Sequence, residues 1–435
     1  MSHFDKREVA ERFIRYASIF TGSEEGVETT PSTACQRDLA KLLYEELLAM
    51  GASDVYYDEK NCYVYASIPG NIPADPEKTA KSKDAAAKRR ENAAPIIGLV
   101  AHMDTSDAVR ASAVHPRLIE CYDGTDIVLN KELGIVSTTE EFPDLKERTG
   151  KMLIVTDGTS VLGGDDKAGV TQIMEVFDFY LHHPEIAHGT IRLCFTPDEE
   201  VGNGPLNFDV ERFAADYAYT VDGSRVGDLE YENFNAASAR IVIHGHSTHP
   251  GDAKGVMINA ALVAMEFNAL LPSHETPYYT EGYQGFFHLT DMEGTCDEAK
   301  LEYIIRDHDR TRFEERKALM QRAADTIKAR YGKGILDLEM RDSYYNMAEK
   351  VLPHRHLIDV AAEAVREQGL EPTTLPIRGG TDGCRLSYMG IPCPNLGTGA
   401  YHFHSRYEYV VADEMVEGAE ILLRILNKYA AYELD

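Results

Sequence analysis

No apolar run in this 435-residue chain approaches the roughly 18 residues that a membrane-spanning helix needs. The first residues, MSHFDKREVAERF, likewise lack the basic-then-apolar order of a secretory signal. Both absences point to a cytoplasmic protein without a membrane partner. Cysteine is sparse: Cys35, Cys62, Cys121, Cys194, Cys296, Cys384 and Cys393 are odd in number, scattered, and form no CxxC pair. That argues against a disulfide framework and against a thiolate zinc site. Positive charge is also short. With 44 basic against 72 acidic residues the net charge is −28, which repels nucleic acid and anionic membranes. An anionic ligand has to be received by local arginines.

What is present suffices for a folded core. Hydrophobic residues make up 43% and charged residues 27%, and the length predicts two domains rather than one. The first 70 residues read as two helices and a hairpin. Leu39, Leu42, Leu43 and Leu47 recur at helical spacing, Gly51 stands where a C-terminal cap belongs, and strand-like segments 54–58 and 62–68 follow. Residues 74–95 break the pattern with six basic and four acidic residues among alanines, the composition of a solvated excursion, with a docking segment as the functional alternative.

An α/β rhythm follows, with strands at 96–101, 190–195 and 216–221 and an amphipathic helix at 167–181. It predicts a largely parallel sheet flanked by helices. From about residue 235 the order becomes strand (238–245), helix (255–271), strands (284–290 and 301–307), helix (311–331) and strand (335–340). This is the βαββαβ order of a ferredoxin-like unit. The α/β pattern resumes with a helix at 356–368, a strand near 394–399, and a closing helix from Asp413 to about Tyr432. The expected fold class is α/β, with a ferredoxin-like domain over 234–345 inserted between the two parts, 1–233 and 346–435, of a larger domain.

Four short acidic or histidine segments each follow an apolar strand: AHMDT, GGDDKAG, TPDEEVG and TVDGS. Carboxylates at the ends of buried strands lie in a crevice where burial penalises their charge, and a bound cation is the usual remedy. His102 and Asp104, two apart on an extended strand, share a face. Imidazole with carboxylate suits zinc, and less selectively manganese or cobalt. Asp165 and Asp166 open a helix, where one carboxylate can be oriented by free amides while the other reaches ions; a simple N-cap is the plainer reading. Asp198, Glu199 and Glu200 are three consecutive acids, costly unless a cation neutralises part of the charge. In an extended stretch Glu199 and Glu200 face opposite ways, so that one ligates metal while the other addresses a bound water. Asp222 ends the fourth strand. His404, with His402 competing on the same face of an extended stretch, completes the set from far downstream.

The order HxD, DDK, DEE, D, H resembles the co-catalytic two-zinc aminopeptidases and carboxypeptidases. The strings LGGDDKAG, FTPDEEVGNGP, AYTVDG, ENFNAAS, HPGDAKGVMINA, YIIRDHDR, DSYYNM, PIRGGTDG and PCPNLGTG are similar to that family's tripeptide-aminopeptidase branch from end to end. The resemblance implies two zinc ions per subunit: Asp165 bridges them, His102 and Asp222 complete one ligand set, and Glu200 and His404 complete the other. It makes Glu199 the general base, Asp104 the residue that holds the His102 tautomer, and the peptide bond after Asp165 cis. It also implies that residues 234–345 form a homodimer, that His249 enters the partner's site to stabilise the oxyanion, and that Arg306 and Arg378 grip the carboxylate of a short peptide. From the residues alone, Arg306 is equally suited to an ion pair with Asp307, and GGTDG to a tight turn. The expected activity is release of the first residue of a tripeptide. A dipeptidase, a carboxypeptidase or an N-acyl-amino-acid deacylase would share the same ligands, and a catalytically silent metal-binding scaffold would not need Glu199.

Overall fold

A computed structural model describes residues 2–73 and 94–432 of the chain. All of the charged segment 74–95 except its last two residues lies outside these. The chain divides into two compact units: Met1–Tyr231 with Lys350–Thr374 and Thr381–Asp435, and Glu232–Glu349 with Leu375–Gly380.

The first unit is organised by strand Ile97–His102, whose six residues are all buried, as expected of a strand covered on both faces. It sits at the centre of a seven-stranded sheet ordered Ser53–Asp58, Tyr63–Ile68, Ile191–Thr196, Ile97–His102, Tyr217–Gly223, Asn395–Gly397, Leu229–Glu230. The four strands from Ile191–Thr196 to Asn395–Gly397 are parallel. The parallel expectation holds for these strands and not at the margins, where the pairings are antiparallel. Because the parallel strands run the same way, the acids that follow three of them emerge at one end of the sheet. The helix Gly164–His182 packs on Ile97–His102 through an almost wholly buried body that includes Val170, Ile173, Met174 and Phe177. Its closeness to the sheet depends on Gly169, where a Cβ would stand 1.8 Å from the Val221 carbonyl oxygen.

A second, four-stranded sheet in this unit joins Ala400–Tyr401, Tyr409–Val411, Leu153–Val155 and Arg117–Ile119. Strands of two or three residues leave no alternation long enough to read in sequence, and none of them was expected.

The second unit is an antiparallel sheet ordered Phe286–Gly294, Glu298–Asp307, Asn235–His244, Leu336–Tyr344, with helices Ala260–Ala269 and Arg310–Tyr331. Chain order and sheet order together define the ferredoxin-like βαββαβ fold. Alternation in Glu298–Asp307 buries Ala299, Leu301, Tyr303 and Ile305, which join Val263, Phe267, Phe313, Met320 and Ile327 of the helices in one core. The first helix starts five residues later than its apolar pattern suggests. Ile258 pairs with His246 through two backbone hydrogen bonds of 2.8 and 2.9 Å, and the Asn259 side chain then caps the helix by accepting from the Leu262 amide. Leu301 is fully buried in this core. Leu301→Ala is expected to destabilise the unit by about 2–5 kcal/mol through lost burial and a residual cavity, read as a lower urea midpoint of its unfolding.

Candidate active site and metal centre

The end of strand Ile97–His102 presents His102 and, just beyond it, Asp104. The His102 Nε2 atom lies 2.8 Å from Asp165 Oδ1 and 3.4 Å from Asp222 Oδ1. On the other side of the same carboxylate, His404 Nε2 lies 3.2 Å from Asp165 Oδ2 and 2.9 Å from Glu200 Oε2. Two triplets result, His102–Asp165–Asp222 and Asp165–Glu200–His404, each with ligand atoms within 4.8 Å of one another. They share Asp165, one oxygen facing each.

Local geometry explains why Asp165 rather than its neighbour occupies this place. The peptide bond between Asp165 and Asp166 is cis, and neither residue has helical dihedrals. Asp166 turns inward, where its Oδ1 accepts the Gly169 amide at 3.1 Å, an N-cap three residues ahead of its partner, and its Oδ2 accepts the His102 amide at 3.2 Å. One of the two aspartates is thus the N-cap and the other faces the site.

The 198–200 segment is not extended. Asp198 adopts a left-handed φ of 55°, its carboxylate accepting from Ser32 and from the Gln36 side chain at 2.6–2.9 Å, and Glu199 and Glu200 begin a turn. Their separate directions come from that turn rather than from strand alternation. Asp104 holds it: Oδ1 accepts the Glu199 amide at 2.9 Å and Oδ2 the Glu200 amide at 3.2 Å, while Oδ1 also stands 3.5 Å from His102 Nδ1. Asp104 thus orients the acidic turn through its carboxylate and the histidine through its main-chain carbonyl, which lies 3.1 Å from His102 Nδ1, a closer contact to that nitrogen than the carboxylate expected to set the tautomer. Glu200 is further fixed by the Ser106 amide, 3.0 Å from its Oε1.

His402 and His404 do not share a face. Both have left-handed φ values, 57° and 56°, and the intervening turn sends them apart. His404 reaches Asp165 and Glu200, whereas His402 Nε2 bonds to Asp144 at 3.0 Å, a carboxylate that also accepts from the Tyr409 hydroxyl at 2.6 Å.

The electrostatics of the cluster are those of a cation site. Burial pushes the Asp222 carboxyl up to about 8, against the pull of His102 and with help from Asp165 and Asp382. Burial, then the charge of Asp222, holds Glu199 well above its ordinary value. Burial alone would lower His102, but Asp222, Asp104 and Asp165 outweigh it and raise the imidazole well above 6.5. Hydrogen bonds to Asp165 and Glu200 lift His404 to about 11. Burial and mutual repulsion make it costly for Asp222 and Glu199 to ionise side by side, a cost that divalent ions at the two triplets would relieve. Two nitrogen and three carboxylate ligands in two triplets fit zinc, with manganese or cobalt as substitutes.

Asn395 supports Asp222 from the adjoining strand, its Oδ1 accepting the Asp222 amide at 3.1 Å and its Nδ2 donating to Glu230 Oε2 at 2.7 Å. Burial raises Glu230 to about 7. Between its ordinary value of 4.5 and 7 the folded chain binds more protons at Glu230 than the unfolded chain, so its stabilisation is present at low pH and lost as pH rises through 7. Glu230→Gln keeps the acceptor oxygen without the charge. Urea unfolding is expected to find the variant about 1–3 kcal/mol more stable than the parent near pH 8 and equal to it near pH 4.

His249, Arg306 and Arg378 belong to the second unit. His249 caps the turn Pro250–Asp252, its Nδ1 accepting the Gly251 amide at 3.1 Å. Arg306 donates from Nη1 to the Ala237 and Ile305 carbonyls at 3.2 and 3.0 Å and lies over the Tyr344 ring. Asp307, the alternative partner for Arg306, is instead paired with Arg316 at 2.8 Å. Arg378 ties down the 280–284 loop, with four bonds of 2.7–3.3 Å to the carbonyls of Thr280, Gly282 and Gln284 and to the Thr280 hydroxyl. Two residues of the first unit's site had no expected role: Asp382, which accepts from the Thr196 hydroxyl at 2.6 Å, and Glu408. Their partners lie 186 and about 245 residues away, beyond any local sequence signal.

Residues 231–335 match the peptidase dimerisation domain. A peptidase T of Geobacillus kaustophilus is 50% identical over 98% of both chains. The fold is shared with the crystal structure of aminopeptidase PepT from Bacillus cereus, at TM-score 0.73 and 22% identity over 98% of this chain and 99% of that one. A dinuclear metal-binding peptidase of the M20 family from Bacillus subtilis superposes with TM-score 0.60 at 13% identity, over 97% and 98% of the two chains. The chain belongs to the peptidase T family. It is accordingly a peptidase.

Proposed function

We propose that this peptidase is a tripeptide aminopeptidase working with two zinc ions, one held by His102, Asp165 and Asp222 and the other by Asp165, Glu200 and His404. The observation that carries the reading is the division of the Asp165 carboxylate, one oxygen toward each histidine. Bound there, the metals supply a water of lowered pKa and a Lewis acid for the scissile carbonyl. Glu199 belongs to neither triplet and acts as the general base, taking the proton of the attacking water on its carboxylate and returning it to the leaving amine. Asp104 keeps Glu199 and His102 in register by holding both.

The finer assignments rest on the second unit. His249 is proposed as the donor to the developing oxyanion of a partner copy, in a homodimer formed through residues 234–345; the match to a dimerisation domain supports this. Arg306, free of Asp307, is suited to receive the peptide carboxylate. For Arg378 the same role requires exchanging its bonds to the 280–284 loop for bonds to the ligand. A cytoplasmic location is supported by seven cysteines that all stand as free thiols, and no helix among the described residues is long and apolar enough to cross a membrane. The test is elemental analysis of the purified full chain together with its mass in solution. Two zinc ions per chain and a dimer are expected; a chain that saturates with one divalent ion contradicts the shared role of Asp165.

A further inference from the structure

Glu408 is 1% exposed, and its carboxylate collects three backbone amides from one short stretch. Oε2 accepts from Leu162 at 2.7 Å and from Gly163 at 2.9 Å, and Oε1 accepts from Asp165 at 3.0 Å. These N–H groups lie in the loop that delivers Asp165 at the front of helix Gly164–His182, where amides have no partner within the helix. The loop is shaped to sit on the carboxylate. Gly163 has a left-handed φ of 78°, and a Cβ on Gly164 would come within 3.0 Å of Glu408 Oε1 and 2.7 Å of Val410. Glu408 also closes the turn that carries His404, its amide reaching the Ser405 carbonyl at 3.4 Å. It is followed directly by strand Tyr409–Val411, which pairs with Leu153–Val155.

We propose that Glu408 is a positioning residue that locks the Asp165 loop to the His404 turn, so that one Asp165 oxygen meets each ligand set. The inference rests on the two-metal reading of the site. A carboxylate suits the task because it is an acceptor only, and bonds from amides to a charged acceptor are among the stronger ones. A carboxamide in its place turns an NH₂ group against backbone donors, and the loop must shift to relieve the conflict.

The test is Glu408→Gln in the full chain, with zinc affinity measured by chelator competition, kcat and KM on a tripeptide, and thermal unfolding of the metal-free protein. Removing the support of a ligand is expected to weaken zinc binding about 10–100-fold, with a parallel fall in kcat, KM within about twofold, and a metal-free unfolding midpoint near the parent's. Glu408→Asp, which retains both acceptor oxygens, recovers part of the affinity. Glu420→Gln, at a buried acid that bonds instead to His3, leaves zinc binding unchanged. Parental zinc affinity and kcat in Glu408→Gln, with only a lower unfolding midpoint, make the residue merely structural and overturn the proposal. If Glu408→Gln does not fold, parental affinity in Glu408→Asp overturns it equally. A parent chain that binds no zinc removes the reading on which the inference stands.

Discussion

Glu199→Gln is expected to lower kcat on a tripeptide by about 10²–10⁴-fold, the range that a positioned general base contributes, while the protein keeps its full metal content. The two halves of that outcome come from different observations. Metal content is preserved because Glu199 is in neither ligand triplet, and its backbone stays in place because Asp104 holds the Glu199 amide rather than its side chain. Turnover is lost because a carboxamide of the same size has no basic oxygen for the water's proton. The raised affinity of Glu199 for protons follows first from burial and then from Asp222. Steady-state kinetics with elemental analysis of the same preparation checks the prediction. Parental turnover in a fully metallated variant would remove Glu199 from the chemistry.

Asp165→Asn is expected to have a larger effect and a different signature. Asparagine offers one oxygen where aspartate offers two, and its NH₂ group cannot accept a bond or ligate a cation. One ligand set therefore loses its anionic member, and the pocket as a whole loses the charge that both histidines face. The variant should hold at most one zinc ion per chain. Forfeiting several kcal/mol of metal-derived transition-state stabilisation should reduce kcat by about 10³-fold or more. Zinc titration distinguishes the two substitutions: Glu199→Gln saturates at the parental stoichiometry, and Asp165→Asn below it. An Asp165→Asn chain that still binds two ions with parental affinity would show that the carboxylate does not bridge.

The major elements were legible in the sequence wherever a pattern ran long enough to declare its period. Glu298–Asp307 alternates along its whole length, and Leu39, Leu43 and Leu47 repeat at helical spacing, so strand and helix follow directly. The first helix of the second unit was misplaced because residues 256–258 are as apolar as the helix they precede. Only the pairing of His246 with Ile258 and the Asn259 cap decide where it begins. In the site, strand-end acids were visible because Ile97–His102, Ile191–Thr196 and Tyr217–Gly223 are conspicuous apolar runs.

What stayed hidden is the layer that orients those acids. Extended geometry was assumed for 198–200 and for 402–404, and both are turns with left-handed residues, a conformation that Asp198, His402 and His404 do not announce in sequence. Asp165 and Asp166 differ in role only through the turn of the chain between them. Glu408 and Asp382 depend on partners about 245 and 186 residues distant. A cation centre was legible from the residue types and the activity from the family resemblance, whereas the alignment of those residues is a property of the folded chain.

The most direct measurement is product analysis by the zinc-loaded protein on a tripeptide of three different residues, offered free and N-acetylated. The predicted result is release of the first amino acid and the remaining dipeptide from the free peptide, with the acetylated one left intact. Release of the last residue, or removal of the acetyl group, would contradict the account.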